Sequence, residues 1–251
     1  DDLRQSFGDR RVDGTILMQS VDESSENDRL ARYATDPLVS GVVSWLDLRD
    51  PVAARAELAR LTIPHHVGVR MLVGEDPLRW LSEPSVIGLL EELASRQLAW
   101  DIVPVTPDQR LAVAAVAVRV PELRIVVDHL GRPPVDRADA GAWMDTTRAL
   151  AALPNIAMKL SVGINVLSSW DSWSPTELEP FVSHAIREFG ADRVMIGSNW
   201  PVVLLRATYG RAWEDLCEIV CRATDDMAER ERIFGGTAVR WYRLNEARAS
   251  H

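Results

Sequence analysis

Residues 123–134 read Leu123-Arg124-Ile125-Val126-Val127-Asp128-His129-Leu130-Gly131-Arg132-Pro133-Pro134, and this stretch decides the fold. Arg124 to Asp128 is a short β-branched run, the pattern of a buried strand. It stops at Asp128-His129, and turn residues follow at Gly131 and Pro133-Pro134. A buried strand that ends on a carboxylate and an imidazole needs partners there, because unpaired buried charge is costly. Parallel α/β barrels gather such groups at the C-terminal ends of their strands, where their chemistry takes place.

Working outward, similar apolar runs alternate with helix-length segments on both sides, which predicts parallel strands joined by helices. Toward the N-terminus, strands are expected at Gly14–Gln19, Val39–Trp45, His66–Arg70 and Leu98–Val103. Helices are expected at Ser24–Thr35, Ala53–Leu61, Pro84–Gln97 and Pro107–Val120, three of them opened at or just after a proline, a good first residue for a helix. Toward the C-terminus, Ala140–Leu153 reads as a helix, Ile156–Leu160 as a strand, Pro175–Phe189 as a helix and Arg193–Ile196 as the seventh strand. Two or three helices finish the chain, ending near Gly236–Leu244. With no linker, low-complexity segment or internal repeat, residues 1–251 are expected to form one domain. No glycine-rich phosphate loop follows the first strand, which counts against a dinucleotide-binding sheet.

The 251 residues suffice for one large core. The net charge of -9 and a pI near 5.1 disfavour nucleic acid, which demands a clustered basic face, and point to small-molecule partners. No apolar run is long enough to span a membrane and the polar start has no signal-peptide character, so a cytoplasmic protein without membrane contact is expected. A homodimer is the protein–protein assembly considered. Cys217 and Cys221 lie four apart in a helical pattern and are expected to be packed, reduced thiols. Lys159 is the sole lysine among 28 basic residues, the rest being arginine, so its place at a strand end marks it for scrutiny.

The expected strand ends carry Gln19, Trp45, Arg70, Asp101, Asp128-His129, Lys159 with Ser161, and Ser198-Asn199-Trp200, which would converge on one mouth. His129 is either a satisfied histidine in a tight turn, a metal ligand, or a neutral imidazole that polarises a carbonyl. Arg70 either pairs with a carboxylate such as Asp101 or forks onto a substrate carboxylate or hydroxyl. Lys159 either snorkels or acts. Trp45 and Trp200 are core or pocket wall. His65-His66 precedes a strand at the end away from the chemistry and is expected to be structural, and His184 is expected on the surface of an amphipathic helix. Asn199 is the sharpest point: an aspartate there could take a proton from water, whereas asparagine can only hydrogen-bond and orient.

These motifs, taken in order, resemble the amidohydrolase-related lactonases. Val127–Pro134 (VDHLGRPP) is similar to the family's VDHLGKPP, and Asn155–Ser161 (NIAMKLS) to NVYCKLSGL. Val194–Val202 (VMIGSNWPV) is similar to LMFGSDWPV, Gly236–Tyr242 to GGTAxRxY, Gly68-Val69-Arg70 to the start of GVRH, and Val12–Gln19 to VDGTVLVQ. The resemblance implies an α/β, TIM-like (β/α)8 barrel of the amidohydrolase superfamily. It also implies a hydrolase that opens a lactone of a sugar acid or related carboxylate. Carried over singly, the matches are Arg70, His129, Lys159 and Trp200, which implies catalytic roles for His129, Arg70, Lys159 and position 199 and substrate contacts from Arg70 and Trp200; Asp101, Trp45 and Gln19 are expected as substrate contacts from their strand-end positions.

The departures matter. The family opens with a strand bearing His-x-His, and neither is found here, so the first strand is expected to be missing from this chain. Some family members bind a divalent metal, zinc or manganese, and others none. His129 would be a ligand only with an upstream His-x-His, so no cofactor is assigned. Met71, Val162 and Asn199 stand where the family has His, Gly and Asp. Three explanations stay open: an omitted upstream segment with Asn199 as a trap, a diverged non-hydrolytic enzyme (cyclase, isomerase or lyase), or a catalytically dead ligand-binding barrel.

Overall fold

Capping side chains and prolines set where the helices begin. In the computed structural model, which describes residues 2–134 and 140–244, Asp50 accepts from the backbone N–H of Val52 and Ala53 just ahead of Pro51. Thr106 and Gln109 form a reciprocal capping box ahead of Pro107. In chain order the elements are α1 (Asp2–Phe7), β1 (Thr15–Met18), α2 (Ser24–Tyr33), β2 (Val39–Trp45), α3 (Pro51–Arg60) and β3 (His66–Arg70), followed by α4 (Pro84–Ser95), β4 (Ala99–Ile102), α5 (Pro107–Arg119) and β5 (Ile125–Val127). Then come α6 (Ala140–Ala151), β6 (Ile156–Leu160), α7 (Ile164–Ser169), α8 (Pro175–Phe189), β7 (Val194–Ile196), α9 (Tyr209–Ala223), α10 (Met227–Glu231) and α11 (Thr237–Trp241). Every expected strand forms, three of them with the bounds read from the sequence.

The chain divides into two compact units, one of Asp1–Val12 with Val127–Thr237 and the other of Asp13–Val126 with Ala238–His251. In the second, β1 pairs with β2, β2 with β3 and β3 with β4, all parallel. β1 is half-buried throughout, while the inner strands are enclosed: Val42, Val43, Val69 and Ile102 have no exposure. That is why these strands read as continuous apolar runs rather than alternating ones. β3 and β4 approach so closely at Gly68 that a Cβ there would stand 2.8 Å from the Ala99 carbonyl oxygen. In the first unit β6 and β7 pair in parallel, with Lys159 opposite Met195. Helix α8 buries Leu178, Phe181, Val182 and Ala185 beside α6 and β6.

One expectation is corrected here. His184 is 1% exposed, not on the surface. Its Nε2 bonds the Met144 carbonyl at 3.0 Å and its ring packs 5.6 Å from that of Trp143. The partner comes from α6, so the sequence of α8 alone does not reveal it. Among the described residues no helix is long and apolar enough to cross a membrane.

Candidate active site

In the unit that contains Val127–Thr237, the ends of β5, β6 and β7 bring Asp128, His129, Lys159, Ser161 and Asn199 into hydrogen-bonded or ionic contacts. Lys159 Nζ lies 2.8 Å from Asp128 Oδ1, and the two side chains are 11% and 1% exposed. The lysine is therefore committed to a largely dry ion pair that fixes its ammonium in place. His129 Nδ1 lies 2.8 Å from Ser161 Oγ. Ser161 is two residues beyond Lys159, and the alternation of a strand places both on the same side of the chain. Gly163 completes the seat, since a Cβ there would stand 3.3 Å from the His129 Cβ.

The backbone bends sharply at these residues. His129, Leu130 and Arg132 have φ of 53°, 55° and 52°, in the left-handed region. Non-glycine residues in that region carry strain that surrounding contacts must hold, and they concentrate at functional sites. Asn199 has φ 51°, a conformation that asparagine and aspartate tolerate better than other residues. Its Nδ2 donates to the Val162 carbonyl oxygen at 2.7 Å. A carbonyl only accepts, so the amide nitrogen and not the oxygen faces it. Trp200 follows, joined to Pro201 by a cis peptide bond. Its buried Nε1–H has no hydrogen-bond acceptor among the described residues.

The other unit holds its own group. Arg70, 7% exposed, donates through Nε to Gln19 Oε1 at 3.0 Å, and its Nη2 donates to the Gln19 carbonyl oxygen. Gln19 Nε2 in turn donates to Asp22 Oδ1 at 2.7 Å. Asp101, fully buried, accepts from the Tyr242 hydroxyl at 2.5 Å. Trp45 is held through its backbone: its N–H donates to Asn27 Oδ1 at 2.8 Å and its carbonyl accepts from Asn27 Nδ2 at 3.1 Å. His66 Nε2 pairs with Ser44 Oγ at 2.9 Å, and burial pushes its pKa down to about 4 with the charge of Arg96 adding to the effect.

The sequence placed Asp128 and Ser161 at strand ends without their partners, and did not single out Asp22 or Tyr242. Asp128 and Ser161 were within reach, one adjoining His129 and the other sharing a strand face with Lys159. Tyr242 was not, because 141 residues separate it from Asp101. The described donor set does not complete a metal shell. Among the described residues no three His, Cys, Asp or Glu side chains group together. Of the groups near His129, Asp128 is paired with Lys159 and position 199 offers an amide. Cys217 and Cys221 are free thiols, and burial lifts the Cys217 pKa to about 11, which leaves it a weak ligand and nucleophile.

Titratable and hydrogen-bonding groups gathered at the ends of parallel strands define an α/β enzyme. The chain belongs to the amidohydrolase family, whose sequence profile matches residues 13–244. It is 34% identical to the L-fucono-1,5-lactonase of Burkholderia ambifaria over 97% of this chain and 84% of that one. It is 30% identical to the L-fucono-1,5-lactonase of Burkholderia multivorans, over 92% and 81% of the two chains. The solved structure of an amidohydrolase from Burkholderia multivorans with bound zinc matches with a TM-score of 0.86 and 29% identity, covering 97% of this chain and 88% of that one. The fold class is thus the TIM-like α/β barrel of the amidohydrolase superfamily, and the chain is a hydrolase of that group.

Proposed function

We propose that this chain opens a lactone of a sugar acid or related carboxylate by attack of water on the ring carbonyl. The similarity to two L-fucono-1,5-lactonases over nearly the whole chain carries this reading, and His129, Lys159 and Asn199, each held by its own partner, supply chemistry that suits it. His129 donates a hydrogen bond to the carbonyl oxygen and polarises it. Lys159, held by Asp128, stabilises the oxyanion that develops or the substrate's carboxylate. Asn199 orients the attacking water without taking its proton. The water oxygen bonds to the carbonyl carbon, the ring C–O bond breaks, and a proton ends on the departing ring oxygen, so the product is a hydroxy acid one water heavier. The unpaired Trp200 N–H suits a substrate hydroxyl or carboxylate oxygen. Within its own unit, Arg70 is proposed as a substrate-binding cation with Gln19, Asp101 and Trp45 beside it.

No step is derived through a metal, because the described side chains do not assemble a shell for one. A single catalytic domain, a cytoplasmic location and a homodimer complete the proposal. The test is acid release from L-fucono-1,5-lactone, followed with a pH indicator after subtraction of the uncatalysed rate. Saturable release that disappears in His129→Gln is expected. No release above background from any sugar 1,4- or 1,5-lactone, with Asn199 or with aspartate at that position, would sink the reading.

A further inference from the structure

The Ser161 hydroxyl is 1% exposed, and its hydrogen-bond partner among the described residues is His129 Nδ1, at 2.8 Å. A hydroxyl carries a proton that must be donated somewhere, and a buried donor left unmade costs about 1–3 kcal/mol. If Nδ1 carried the ring proton, it would donate to Ser161 Oγ, and the serine proton would then have no acceptor among the described residues. If the serine donates instead, every proton at this contact is satisfied: Nδ1 accepts, and the neutral imidazole carries its proton on Nε2.

We infer that Ser161 is a positioning residue that locks His129 in the Nε2–H tautomer, making Nε2 a hydrogen-bond donor. This deepens the proposed reading, because a donor at Nε2 polarises a carbonyl, whereas a bare Nε2 lone pair would serve as a base or metal ligand. Histidines that bind metal through Nε2 donate from Nδ1, the reverse of the arrangement here. Both partners are closely packed at their Cβ atoms: a Cβ at Gly197, just past β7, would stand 3.4 Å from the Ser161 Cβ, and a Cβ at Gly163 would stand 3.3 Å from the His129 Cβ.

Long-range proton–nitrogen NMR correlations on the full chain labelled with 15N-histidine test this directly. The His129 signals are assigned by their loss in His129→Gln. At neutral pH, Nδ1 is expected to have a pyridine-like shift and Nε2 a pyrrole-like one. In Ser161→Ala the two nitrogens should move toward a mixture of tautomers, and Ser161→Thr, which keeps the hydroxyl, should restore the original pattern. In lactone assays Ser161→Ala should lower kcat about 10-fold while KM stays within about two-fold. A wild-type spectrum with the proton on Nδ1, or a tautomer unchanged in Ser161→Ala, overturns the inference. The spectra need no turnover, so failure of lactone hydrolysis would end the functional reading and leave this assignment to stand or fall separately.

Discussion

At the scale of single residues, Asn199 joins two demands that oppose each other. Its amide donates to the Val162 carbonyl at 2.7 Å, which a carboxylate cannot do. Asn199→Asp therefore turns a hydrogen bond into a contact between two acceptors and is expected to cost about 1–3 kcal/mol in urea unfolding. The same change supplies a base beside the water and should raise lactone turnover by about 10²–10⁴. Stability lost without any gain in rate would remove position 199 from the water-activating role. Lys159 and Asp128 give a second test. Lys159→Met leaves a carboxylate buried without its cation and should destabilise by about 3–5 kcal/mol. Adding Asp128→Asn should recover most of the stability and none of the activity, and recovered activity would show that the lysine serves only to satisfy Asp128. The positions of His129, Lys159 and Asn199 at strand ends were legible in the sequence, because each lies at or just past the end of a short apolar run. What they bond to was not, because each partner lies on a different segment of chain.

At the scale of elements, strands and capped helices were the most legible parts. β2, β3 and β6 have the bounds that the apolar runs predict, and α5 begins where Thr106, Pro107 and Gln109 announce it. The short helices α1 and α7 escaped notice: α7 starts after Gly163 with no side-chain cap, so nothing local marks it. Loss of the α5 cap in Thr106→Ala should cost about 1 kcal/mol, measurable as a lower urea midpoint at an unchanged slope. β3 carries a pH prediction through His66, whose pKa falls from 6.5 to about 4 in the folded chain, chiefly by burial. Between those values the unfolded state holds the extra proton, so stability rises with pH across the window and is lost as pH falls through it. Burial lowers the His184 pKa in the same direction. Unfolding in urea at about pH 7 and about pH 4.5 should show a loss of roughly 2 kcal/mol from His66 that His66→Gln largely abolishes. An equal loss in the variant would assign the acid sensitivity to other groups.

At the scale of the whole molecule, the order of motifs along the chain carried more information than any single one. VDHLGRPP, NIAMKLS and VMIGSNWPV each admit a structural reading, yet their sequence order pointed to the family that now matches residues 13–244. Hydrolysis incorporates water into the product, so the isotopic fate of water reports it. The chain is incubated with L-fucono-1,5-lactone in 18O-labelled water and the product is analysed by mass, with the uncatalysed reaction subtracted. The expected outcome is an enzyme-dependent product heavier by one labelled water, with the label in the carboxyl group. Enzyme-dependent conversion without gain of water, or no conversion, would contradict it.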